Sequence, residues 1–224
     1  MFKNFKKVLL CETLNMNDIK ANNIIDLQYF GNIYWFSKLI KLKHITFPLY
    51  ESYKKMSFRN RSVVASSNGT VNLSVPLESG RNQKSRYGEI KILYSQNWQT
   101  NHWQTILSCY NKSPFFEYYR DGLKPFFTQN TEFLFVHNLS ILDWLIKTMK
   151  LPVTYNVAME ETIITEEVND FRDYYLPKNY QNINDFPVYP QVFQDRIGFI
   201  PNLSILDLLF NTGPQATDIL GRIL

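Results

Sequence analysis

His102, the pair Arg59 and Arg61, and a charged run at Asp170, Arg172 and Asp173 are the side chains of this sequence whose types and spacing suit chemistry. Imidazole titrates near neutral pH, so His102 is the candidate general acid or base, one helical turn after Trp98, whose indole could limit water access. If residues 58–63 are extended, Arg59 and Arg61 leave the same side of the strand and can grip one phosphate or carboxylate from two directions, while Asn60 points the other way. Arginine suits this task because its planar fork bonds an anion bidentately and keeps its charge. The plain alternatives are two solvated surface arginines and a satisfied structural histidine. Arg172, with Tyr174 and Tyr175 following, offers planar polar and aromatic surface to a sugar ring, or else belongs to a surface ion-pair cluster. Asn202, Asp207 and Asn211 can line a pocket, although Asn202 and Asp207 also have work as helix caps.

Several chemistries lack their usual residues. With three histidines, two cysteines and no HExxH or cysteine cluster, no protein metal site is expected. No P-loop, GxGxxG, GxSxG elbow or kinase motif set occurs, so nucleotide hydrolysis, a Rossmann cofactor and a covalent serine mechanism gain no support, and no cofactor is expected. The net charge of +4 conceals an asymmetry: residues 1–112 hold 16 Lys and Arg against 6 acids, and residues 113–224 hold 8 against 14. Such a split focuses positive potential and favours an anionic small-molecule ligand such as a sugar nucleotide, unless the two halves simply attract each other. The lysines are scattered among apolar positions with no nucleic-acid-binding motif, so nucleic acid is not an expected partner.

The elements that must position these residues follow from periodicity and punctuation. Trp35, Phe36, Leu39, Ile40 and Leu42 recur at helical spacing, predicting a helix over 31–43. β-Branched and aromatic residues predict a strand at 44–49, closed by Pro48. Asn68-Gly69 is a turn signal before a strand at 70–77, and Gly88 precedes another at 89–94. A helix over 97–110 carries Trp98 and His102 on one stripe, Pro114 suits a first helical position, and a long helix over 131–150 ends before Pro152. Residues 160–167 read as a solvated acidic turn or edge, and 179–194 as a long ordered loop. Near the end, Ser204 and Asp207 resemble a capping box, and Gly213 supplies a left-handed cap before Pro214.

Residues 1–23 read as a weakly ordered arm before a single domain over 24–224. The start imitates a lipoprotein leader, but its apolar run is short and Leu10 precedes Cys11 where a small residue belongs, so lipidation is not expected. The apolar stretch near 133–151 is broken by His137, Asn138, Asp143 and Lys147, so no transmembrane segment is expected. Both cysteines, Cys11 and Cys109, are expected reduced. The alternation of helices and strands predicts an α/β fold with a mainly buried sheet flanked by helices, with α+β as the alternative. A cytoplasmic location is expected.

Several segments, in order, resemble the WbqC-like family, whose members occur in gene clusters for O-antigen and other surface polysaccharides. They are QYFGNIYWFSKL at 28–39, Arg59-Asn60-Arg61, the strand ending in Val75-Pro76, Trp98 with His102, the run from Tyr110 to Phe116, and PNLSILDLLFNTGP at 201–214. The resemblance implies a transferase that passes an acyl or aminoacyl group to an amino-sugar nucleotide. Taken with the chemistry of the residues, the substrate-binding candidates are Tyr29, Arg59, Asn60, Arg61, Trp98, Arg172 and Asn202, and His102 is the catalytic candidate. A non-catalytic protein that binds a glycan precursor or a polysaccharide-pathway enzyme is the alternative the resemblance leaves open.

Overall fold

The computed structural model describes residues 23–78, 85–160, 168–183 and 186–223. Its centre is a parallel sheet of four strands, β1 (Asn23–Ile24), β2 (His44–Pro48), β5 (Thr154–Ala158) and β6 (Asn169–Asp170), in the order β5-β2-β1-β6. β2 runs in register with β5 from His44 opposite Thr154 to Pro48 opposite Ala158. Ile45, Thr46 and Phe47 are all buried, so side chains on both faces of β2 are covered, as an inner strand of a parallel sheet requires. A hairpin of β3 (Arg61–Ser66) and β4 (Gly69–Ser74) forms a second, antiparallel sheet around the expected Asn68-Gly69 turn. The α/β expectation is borne out.

Helix α1 (Ile33–Leu42) joins β1 to β2, burying Ile33, Trp35, Phe36 and Leu39. Two of its first backbone N–H groups, which lack partners inside the helix, are met by asparagines: Asn32 Oδ1 accepts from Trp35 at 2.9 Å and Asn202 Oδ1 from Tyr34 at 2.8 Å. The helices α2 (Trp98–Tyr110) and α4 (Leu134–Met149) fall where periodicity put them. Between them, α3 (Phe116–Leu123) starts two residues beyond Pro114.

Three expectations change in the middle of the chain. Residues 58–60 form a turn rather than extended backbone, and β3 begins only at Arg61. A turn arises there because the Ser57 hydroxyl donates to the Lys54 carbonyl at 2.7 Å and receives the Arg59 N–H at 3.4 Å. β4 stops at Ser74, two residues before Pro76. The strand expected at 89–94 shrinks to bridges of Ile92 with Leu77 and Lys91 with Phe133, preceded by a 3₁₀ turn at Tyr87–Glu89. The acidic segment 160–167 and the arm 1–23 lie outside the described residues except for Glu160 and Asn23, and Asn23 opens β1.

The loop at 179–194, described apart from 184–185, leads into the short helix α5 (Gln194–Ile197) and then α6 (Ile205–Thr212), every residue of which is buried. Ser204 caps α6 by accepting from Leu206, but the Asp207 carboxylate turns away from the cap, so the expected box is not made. Gly213 ends the helix at φ 55° and ψ −127° before a closing helix, α7 (Ala216–Arg222), that the sequence reading did not anticipate. A Cβ on Gly213 would lie 2.5 Å from the Phe115 ring. Both the positive φ and this contact oppose any side chain, so Gly213→Ala is expected to cost about 2–4 kcal/mol. Urea denaturation checks this, and a loss below about 0.5 kcal/mol would contradict it.

Candidate functional site

Three adjacent parallel strands each deliver one carboxylate just past their carboxyl ends: Asp26 follows β1, Glu51 follows β2 and Asp173 follows β6. In open α/β sheets this edge is where ligands bind, because the loops leaving the strands diverge there. Between the carboxylates lies Arg59, whose side chain is 1% exposed. Its Nε and Nη2 donate to Glu51 Oε1 at 3.0 and 2.8 Å, and its Nη1 donates to Asp173 Oδ1 at 2.7 Å and stands 3.9 Å from Asp26 Oδ2. The Asp173 N–H donates to Asp26 Oδ1 at 2.9 Å, and Lys54 Nζ binds Asp173 Oδ2 at 3.0 Å. Asp173 reaches these partners at φ 59°, a left-handed backbone for a residue with a Cβ, held by the bonds on both sides of it.

The charges do not balance within this group. Burial pushes the Asp26 carboxyl up against the opposing pull of Arg59, and it pushes Glu51 up to about 7 in the same way. Burial also raises Asp173, but Arg59 and Lys54 outweigh it and hold that carboxyl below its usual range. Arg59 stays charged, because the three carboxylates outweigh its own burial. Both raised carboxyls take up a proton more readily than a free carboxyl does, which relieves the excess negative charge. Both bonds from Arg59 fall on Glu51 Oε1, so Oε2 stands outside them.

Glu51 borders a cleft of about 430 Å³ with Pro48, Tyr50, Ser52, Asp170, Arg172 and Asp173. Arg172 lies in a bidentate pair with Asp170, Nε to Oδ1 at 2.9 Å and Nη2 to Oδ2 at 2.6 Å, which leaves Nη1 outside the pair. Asp173 also lines a second, larger cleft of about 830 Å³ with Lys54, Lys178 and the tyrosines 34, 174, 175 and 180.

The other residues singled out from the sequence lie elsewhere. With every nitrogen of Arg59 facing a carboxylate and residues 58–60 in a turn, the two-sided grip expected of Arg59 and Arg61 is not formed. Arg61 is half-buried, and its Nε has no hydrogen-bond partner among the described residues. Asn60 ties the start of the hairpin to its end, donating from Nδ2 to the Val75 carbonyl at 2.9 Å and accepting the Val75 N–H at 2.8 Å. Asn202 is buried and donates to the Tyr180 carbonyl while capping α1.

Tyr29, Trp98 and His102 do come together, with His137, in the interior. His102 Nδ1 lies 3.0 Å from the Tyr29 hydroxyl, and the ring also bonds the Ser74 backbone. Burial lowers His102 to about 4, and burial with the neighbouring His102 lowers His137 to about 4. None of the residues lining the two clefts belongs to this cluster. Asp207 makes a further buried group, accepting from Tyr110 at 2.8 Å, Tyr189 at 2.6 Å and Gln191 at 3.1 Å, with burial pushing it up to about 6.

Asp26, Glu51 and Lys54 were missed by the sequence reading, which weighed Arg59 only with its neighbour. The available signal was positional: an acid two or three residues past the end of each of three strands. Among the described residues, no group of three or more His, Cys, Asp or Glu side chains is placed to hold a metal ion, and no helix is long and apolar enough to cross a membrane.

Fold and clefts together define an α/β protein with a charged cleft at the carboxyl edge of a parallel sheet. The model of the WbqC-like protein family matches residues 27–170 and 165–219, and the chain belongs to that family. It is also similar to the uncharacterized protein Rv1507c of Mycobacterium tuberculosis, 26% identical over 207 residues that cover 78% of this chain and 87% of that protein. No solved structure matches it.

Two outcomes follow from these charges. Arg59→Leu leaves buried carboxylates uncompensated and should destabilise by about 3–5 kcal/mol at pH 8. Because those carboxyls then sit still further above their unfolded values, the deficit shrinks as pH falls toward 5; denaturation midpoints at both pH values test this, and a pH-independent deficit would contradict it. His102 and His137, held below their unfolded value of 6.5, contribute stability that is complete above that pH and lost as pH falls toward about 4. Proton NMR titration should find both rings neutral at pH 6, and an imidazolium signal from either would overturn the assignment.

Proposed function

We propose that this protein is a transferase that passes an acyl or aminoacyl group to the amine of an amino-sugar nucleotide in surface-polysaccharide synthesis. The observation that carries the reading is Glu51, a residue that lines a cleft at the carboxyl edge of the sheet and whose carboxyl is raised to about 7. A base for an ammonium works best when its own pKa lies near the operating pH, and burial gives Glu51 that property. His102, expected from the sequence to fill this role, has its ring bonded to Tyr29 and Ser74 away from both clefts. Kinship with the WbqC-like family fits a role in polysaccharide synthesis.

In this reading Arg172 and Lys54 meet the phosphates, as a bidentate fork and a point charge. Glu51 takes a proton from the acceptor ammonium, and the neutral amine attacks the carbonyl carbon of an activated acyl ester or thioester. The new C–N bond forms as the bond to the leaving group breaks, the departing alkoxide or thiolate takes up the proton held by Glu51, and the freed Glu51 carboxylate accepts the second proton shed by the nitrogen and passes it to water. The product is an amide and no electrons change hands.

A thermal-shift panel of sugar nucleotides, amino-sugar nucleotides, nucleotides and acyl donors tests the proposal. An amino-sugar nucleotide at about 100 times its dissociation constant stabilises by about 2.7 kcal/mol and should raise the midpoint by several degrees. Arg172→Ala is expected to remove that shift. Glu51→Gln should keep it while lowering turnover by about 10²- to 10⁴-fold. Silence across the panel with the fold intact would sink the proposal, and undiminished turnover in Glu51→Gln would remove Glu51 from it.

A further inference from the structure

The larger cleft carries a different set of groups from the one that Glu51 borders. Tyr174 is 62% exposed, and its ring meets Tyr175 edge-on with centroids 4.9 Å apart. Tyr175 is itself buried and rests against Tyr34 at 5.5 Å. The loop behind them is closed by Asn179, whose Oδ1 accepts the Leu176 N–H at 2.9 Å and whose Nδ2 donates to the Tyr174 carbonyl at 3.2 Å. An exposed aromatic face anchored through a buried one is a ready stacking surface, because little freedom remains to be lost when a flat ligand settles on it.

Around this surface stand Lys54 and Lys178, and the volume of about 830 Å³ is that of a site for a molecule larger than a monosaccharide. Lys54 gives one of its three donors to Asp173, which leaves two for a second anion. Asp173 is the wall shared with the smaller cleft, so a ligand that fills both must pass it.

We infer that the larger cleft is a nucleoside-phosphate subsite, in which the base stacks on Tyr174 and the phosphates meet Lys54 and Lys178. The inference rests on the transferase reading and deepens it: with phosphates at the shared wall, the sugar amine of the same ligand extends toward Glu51. Stacking tolerates any base, so the contacts define the class and not the base.

Isothermal titration with ADP, GDP, CDP, UDP and dTDP, the matching nucleosides and inorganic pyrophosphate tests it. At least one nucleoside diphosphate is expected to bind ten or more times tighter than pyrophosphate. Tyr174→Ala, at an exposed position outside the core, should weaken that complex roughly tenfold, the loss of one stacking contact. Lys178→Ala should weaken the diphosphate complex and leave nucleoside binding unchanged. Pyrophosphate binding as tightly as the diphosphates, no diphosphate binding at all, or a diphosphate complex indifferent to both substitutions would each overturn the subsite. If an amino-sugar nucleotide still gave a shift dependent on Arg172 in any of those cases, the transferase reading would stand alone. Glu51-independent turnover with Tyr174-dependent binding would instead remove the assigned catalytic base and keep the subsite.

Discussion

Everything at the carboxyl edge of the sheet depends on one buried cation. Three carboxylates leave neighbouring strands within reach of one another, and without Arg59 their repulsion would add to the cost of removing each from water. The guanidinium answers all three because its donors spread in a plane, two toward Glu51 and one toward Asp173, with Asp26 alongside. Its position is fixed from behind as well, since its carbonyl accepts from Asn138 Nδ2 at 2.6 Å and its guanidinium lies over the Tyr87 ring. A lysine could supply the charge but not the fork.

The same arrangement explains how Glu51 can sit near neutrality beside an arginine. Burial outweighs the pull of the two bonds from Arg59, and the neighbouring Asp26 and Asp173 add to it, so the Glu51 carboxyl is raised to about 7. Burial thus leaves a carboxyl raised to about 7 on a residue that lines a cleft. The left-handed Asp173 belongs to the same economy of position: its N–H, its carboxylate and its place between two clefts are used at once.

Much of the fold was legible in the sequence because helices announce themselves through periodicity and caps. Trp35, Phe36 and Leu39 outline α1, and Gly213 before Pro214 marks the end of α6. The strands were harder. β1 and β6 are two residues each, too short to show any alternation, and they exist because distant partners supply their hydrogen bonds. The site was less legible still. Arg59 was visible as a special residue, yet its partners lie 8, 33 and 114 positions away, and only Glu51 is near in sequence. Spacing along a chain reveals side chains that share a local element; it carries no sign of a cluster assembled across a sheet. Trp98 and His102 did share a face as expected, but whether a face meets solvent or core is decided by the aromatic rings of Tyr29 and His137, which come from other parts of the chain.

The two-residue strand β1 also joins parts of the chain that are far apart in sequence. It sits between β2 and β6, pairing Ile24 with Thr46 on one side and with Asp170 on the other. A ribosome that has released only the first half of the chain has delivered Asp26, Glu51 and Arg59 but not the strand that brings Asp173 to them. Closing a loop of well over a hundred residues is slow, because its entropy is lost before any contact repays it. The cluster around Arg59 therefore cannot be complete until residue 173 has joined the acids that precede it by more than a hundred positions.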